Sequence, residues 1–128
     1  MEQKALTTFG QELMTEVRDR VLSDLNQTIS GQMLSDSAQQ LHTKFEKLTD
    51  EDKSFFIDAI VQYVDLTIFK FLFMFEETDN WAVIDKEVAE SNKLDDIAKL
   101  SDGLVGELFT EDGWIARFSK FGEKPNIG

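Results

Sequence analysis

Residues 66–75 read LTIFKFLFMF, a run with one charge, Lys70, and this run constrains the rest of the chain most. Upstream of it Phe55, Phe56, Ala59, Ile60 and Val64 recur at helical steps and join Ile68, Phe71, Leu72 and Phe75 in one period. Thr49 precedes Asp50, Glu51 and Asp52. Its hydroxyl can accept from the amide three residues on, and the acids complement the positive end of a helix. The spacing therefore predicts a helix over 49–77 whose second half is apolar nearly all round. Such a helix is central to a core or lies against a partner. Phe69, Phe71, Phe73 and Phe75 also alternate as a strand would, so a strand stays open as the alternative. No turn residue separates that stretch from the helical pattern before it, and helix is preferred. The stretch 55–75 is about as long as a membrane span of roughly 20 residues. Asp58, Asp65 and Lys70 interrupt it, each costing roughly 2.5–3.5 kcal/mol at mid-bilayer, so a membrane helix is not expected.

The remaining segments read as further helices around this one. Leu6, Phe9, Leu13, Val17, Val21, Leu25 and Ile29 step by three or four and stack on one face. Ser30-Gly31 stops that helix, and Gly10 inside it weakens its first turns by roughly 1 kcal/mol relative to Ala. Ser35 or Ser37 can cap a second helix carrying Ala38, Leu41, Phe45 and Leu48. After the 49–77 helix, Thr78-Asp79-Asn80 is a loop and Trp81, Val83 and Ile84 form a small apolar patch. Val88, Leu94, Ile97 and Leu100 anchor an expected helix over 85–99, and Ser101-Asp102 starts another with Leu104, Val105, Leu108 and Phe109. Trp114, Ile115, Phe118 and Phe121 make a last helix or strand ending at Gly122, with a hairpin at Asp112-Gly113 as the alternative. The expectation is an all-α, single-domain bundle of five or six helices over 1–122, with a tail over 123–128.

Composition removes whole classes of chemistry. The chain has 128 residues, enough for one domain with a real core. Eleven Phe are too many for a disordered acidic tail. No Cys is present, which excludes a disulfide scaffold, a thiolate nucleophile and a cysteine zinc site. His42 is the only imidazole. It could serve as a general base, but the sequence supplies it no partner, and an edge histidine is the plainer reading. The polar start Met1-Glu2-Gln3-Lys4 carries no apolar signal segment, so a cytoplasmic location is the expectation.

Carboxylates cluster at Asp50-Glu51-Asp52, Glu76-Glu77-Asp79, Glu87-Glu90, Asp95-Asp96 and Glu111-Asp112. Neither the calcium-loop pattern nor the helical Glu-x-x-His di-iron signature occurs, and SDGLVGEL lacks both phosphate-loop patterns. Helix-start acids and solvated faces account for most of these groups, and no cofactor or metal is expected. Asp65 stands apart because it lies among apolar neighbours, where a lone carboxylate is costly unless paired. Lys70, five residues away, is poorly placed to pair within one helix. Asp65 is thus expected to reach another helix or a partner.

Net charge is −12, and it is uneven. Residues 1–48 hold 7 acids and 5 bases, 49–99 hold 13 and 5, and 100–128 hold 5 and 3. The middle segment thus carries most of the excess. So acidic a chain is a poor binder of nucleic acid, whose affinity comes from cationic side chains. An acidic face suits a basic protein partner instead, by steering and specificity. The expected partner-facing residues are Glu76, Glu77, Asp79, Trp81, Glu87, Glu90, Asp95, Asp96 and Trp114. Three other readings stand beside this one. They are an acidic DNA mimic, a hydrolase holding a metal at Glu76, Glu77 and Asp79 or at Asp95 and Asp96, and a homodimer that buries Phe69, Phe71, Phe73 and Phe75.

Three features join these segments: Val64-Asp65 inside an apolar helix, Phe75-Glu76-Glu77 at its end, and a late Gly113-Trp114-Ile115. Over about residues 49–121 the chain thereby resembles small acidic bacterial immunity proteins of toxin–immunity loci. The resemblance implies a cytoplasmic protein that binds and neutralises a toxin and catalyses nothing.

Overall fold

The computed structural model describes residues 2–86, 96–97, 103–104 and 106–127, with side chains from Lys4 onward. Its elements are α1 (Glu2–Leu13), one π-helical turn (Met14–Arg18), α2 (Asp19–Ile29), α3 (Asp36–Glu46), α4 (Asp50–Glu77), α5 (Gly106–Phe109) and α6 (Trp114–Phe118). No strand occurs among the described residues, only an isolated antiparallel bridge between Ile84 and Asp96. The chain is an all-α bundle around α4, as its periodicity predicts. Residues 66–75 are helical, and Gly113 starts α6 rather than turning a hairpin. Of the helix expected over 85–99, positions 87–95 and 98–99 lie outside the described residues, as do Leu100, Ser101, Asp102 and Val105.

The caps follow the sequence. Thr49 Oγ1 accepts from the Asp52 amide at 3.1 Å, and Ser35 Oγ accepts from the Ala38 amide at 3.3 Å. Gly31, at φ +82°, lets the chain leave α2 in the left-handed conformation that glycine tolerates.

The first helix departs from its expected face halfway along. Asp19 N–H donates to Met14 O, five residues back, and this wide turn takes up one extra residue. Before it Leu6, Leu13 and Met14 are buried; after it Arg18, Asp19, Leu22 and Ile29 are. Val17 and Val21, expected in the apolar stripe, are rotated outward and stand 43% and 42% exposed.

Two apolar clusters result. One gathers Leu6, Leu13, Met14, Ile68, Leu72 and Trp114, among others. The second gathers Leu22, Ile29, Phe45, Ile57, Val61 and Ile127. The segment after Gly122, expected as a tail, therefore folds back and buries Ile127. Gly10 also has a role that the sequence did not reveal. A methyl built there would fall inside the indole of Trp114, so the helical cost of glycine is offset by a seat for the largest fully buried side chain. Phe9 meets the same indole edge-on, with centroids 5.8 Å apart.

Candidate interaction surfaces

A polar layer separates the two clusters. Arg18 is fully buried, and its Nε donates to Asp65 Oδ1 at 2.7 Å and a terminal nitrogen to Oδ2 at 3.2 Å. The other terminal nitrogen donates to Ser119 Oγ at 2.8 Å and to Gly122 O at 2.7 Å. Ser119 in turn donates to Asp19 Oδ1 at 2.6 Å, and Asp19 Oδ2 accepts from the Lys120 amide at 3.1 Å. Bidentate Arg–carboxylate geometry satisfies both charges together. This network answers what Asp65 pairs with: the partner lies across the bundle, not at Lys70. Lys70 instead lies over the Phe69 ring, 6.0 Å from its centroid. Among the described residues no buried side-chain nitrogen or oxygen lacks a hydrogen-bond partner.

His42 has a structural post. Its Nδ1 lies 2.8 Å from Ile29 O, a carbonyl that can only accept, so Nδ1–H donates there and caps the last turn of α2. The ring also sits where a side chain at Gly31 would go.

The expected partner-facing residues divide. Glu76 and Glu77 are exposed at the end of α4, Asp79 is exposed in the loop, and Trp81 stands 63% exposed beyond it. Glu87, Glu90 and Asp95 lie outside the described residues. Asp96 is half-buried and accepts from the Val83 amide at 3.2 Å, while Ile97 N–H donates to Val83 O at 2.7 Å. Its carboxylate closes the loop onto the core. Trp114 is in the core, 1% exposed against Gly10 and Phe9. It therefore presents no surface, because its indole is worth more buried than exposed. Among the described residues no group of three or more His, Asp or Glu could hold a metal ion.

No family model, curated protein or solved structure matches this chain. Its surfaces must therefore be read from geometry alone.

Among the described residues, the outward side of α4 has no helix packed on it. Its buried residues, Ile57, Val61, Ile68 and Leu72, hold one side. On the other side Phe55 is 72% and Tyr63 63% exposed, and Leu66, Phe73 and Met74 are exposed as well. Leu48, Phe55, Ala59 and Tyr63 line a groove of about 580 Å³ there. Phe69 and Phe75 are only half-exposed and pack against the first cluster. The four alternating phenylalanines thus do not form one patch, because a helix sends them in different directions. The signal for this second face was present in the sequence: Phe56, Ala59, Tyr63 and Leu66 step by three and four residues, on the side of the helix away from Ile57, Val61, Ile68 and Leu72. No described helix is long and apolar enough to cross a membrane.

Proposed function

We propose that this chain is a non-catalytic protein-binding module, an immunity-type inhibitor that neutralises a basic toxin or nucleic-acid enzyme. The capture site is the acidic end of α4 and the loop after it. The observation that supports this reading is Trp81, an indole left 63% exposed just beyond the exposed acids Glu76, Glu77 and Asp79. Exposed tryptophans are favoured anchors of interfaces, where one aromatic fills a pocket and charged neighbours around it steer approach. The −8 net charge of residues 49–99 suits a cationic partner such as an enzyme whose own substrate is a polyanion.

The test is inhibition and binding kinetics against basic toxins and nucleic-acid enzymes encoded in the same genome, any neighbour of this gene first. Trp81→Ala is expected to weaken binding by about 2 kcal/mol or more, chiefly through faster dissociation. The triple change Glu76→Lys, Glu77→Lys, Asp79→Lys is expected to slow association and flatten its salt dependence with little change in melting temperature. Tight inhibition that ignores both variants and salt would sink the reading.

A further inference from the structure

The geometry points to a second copy of this chain as the occupant of the outward face of α4, packed antiparallel with its two-fold axis at the level of Val61. This inference uses a different surface from the Trp81 site and stands or falls without it. The first argument is register. Phe56, Ala59, Tyr63 and Leu66 step by three and four residues along this face, with Asp52 and Lys70 continuing the spacing at either end, and apolar steps of that kind suit helices that pack side by side with a left-handed crossing. An antiparallel pair about Val61 sets Tyr63 of one copy against Ala59 of the other, large against small. It sets Phe56 against Leu66. The groove beside Ala59 is already open, between Leu48, Phe55 and Tyr63.

The second argument is charge. Over the span that two such helices share, this face carries the acid Asp52 and the base Lys70, nine residues on either side of Val61, and Glu77 lies beyond that span. About a two-fold axis there, each Asp52 meets the other copy's Lys70, twice over. A strongly basic helix would meet Lys70 as a like charge, and a strongly acidic one would meet Asp52. A self-complementary surface is what an isologous contact requires.

The third argument is area. Taking about 200 Å² for an aromatic side chain, the exposed parts of Leu48, Phe55, Tyr63, Leu66, Phe73 and Met74 come to roughly 550 Å² per chain. Two copies would bury roughly 1,100 Å² of apolar surface before the half-buried Phe56 and Ile60 are included, enough for a specific interface of about 1,000 Å² or more. A patch of that size is near the top of the range for a monomer, about 300–600 Å², where patches are often functional.

Sedimentation velocity of the full chain, from low micromolar to about 100 μM, reads the outcome directly. The expected species is a dimer of the 14.7 kDa chain. Tyr63→Glu should yield a monomer with unchanged far-ultraviolet circular dichroism. Asp52→Lys and Lys70→Asp should each weaken association about tenfold by placing like charges together, and the double swap should restore it. The swap keeps the test decisive even if Tyr63→Glu does not fold. A monomer throughout the range would overturn the inference and leave the face to another protein. A dimer indifferent to Tyr63→Glu, or a double swap no tighter than the single changes, would overturn it too.

Discussion

Removing the Asp65 carboxylate is the sharpest test of how this bundle is held. Arg18 is fully buried and keeps two of its four hydrogen bonds with Asp65. In Asp65→Ala the guanidinium stays buried, still bonded to Ser119 Oγ and Gly122 O, but its charge has lost the carboxylate that it bonds directly, and Asp19 stays one hydroxyl away, through Ser119. Breaking a buried pair from one side costs about 3–5 kcal/mol, because what remains is an uncompensated buried charge. Against a total stability of about 5–15 kcal/mol that is a large share, and at this chain length it lowers Tm by roughly 10–20 °C. Urea denaturation followed by circular dichroism measures it, with an unchanged m-value showing that the folded state remains comparably compact. The double variant Arg18→Met, Asp65→Leu removes both members of the pair and should be more stable than Asp65→Ala alone, its gain limited because Asp19, Ser119 Oγ and Gly122 O lose the guanidinium. A loss under about 1 kcal/mol for Asp65→Ala, the range of a solvated surface pair, would refute the argument. So would a double variant less stable than the single one.

Two further outcomes follow from the fold. Gly10→Ala should destabilise by about 1–3 kcal/mol despite alanine's helical advantage, because the methyl overlaps the Trp114 indole; a stabilised variant, by thermal melt, would mean that the indole can shift freely. Thr49→Ala removes the acceptor for the Asp52 amide and should cost about 1 kcal/mol in chemical denaturation.

What the sequence made legible were the features set by local physics. The extent of α4, its Thr49 cap, the Ser35 cap and the Gly31 stop each depend on residues within a few positions of one another. The face of the first helix was legible at both ends, at Leu6 and Leu13 and again at Leu25 and Ile29, but not at Val17 and Val21. Two stripes run through that segment, one through Val17 and Val21 and the other through Arg18 and Leu22. The choice between them depends on the π turn, which is settled by what Arg18 finds across the bundle. Trp114 looked like a surface aromatic because the glycine that receives it lies about a hundred residues earlier. His42 offered no side-chain partner because its partner is a main-chain carbonyl, Ile29 O.

The position of the polar layer bears on why these three segments align at all. Arg18 lies between Met14 of the first cluster and Leu22 of the second; Asp65 lies between Ile68 and Val61; Ser119 lies between Ile115 and Phe121. Apolar side chains on either side are interchangeable within about 1.5 kcal/mol, so hydrophobic burial alone tolerates a helix sliding by one turn. A slide moves Asp65 away from Arg18 and leaves both polar groups among Leu, Ile and Phe, at a cost no apolar repacking offsets. We therefore read the layer as a register device that contributes little net stability, a hypothesis motivated by its matched height on all three segments. The Arg18→Met, Asp65→Leu chain separates the two roles. If the layer sets register, this chain melts above Asp65→Ala yet loses dispersion in its amide NMR spectrum. A dispersed spectrum like the parent's would show that packing alone holds the alignment.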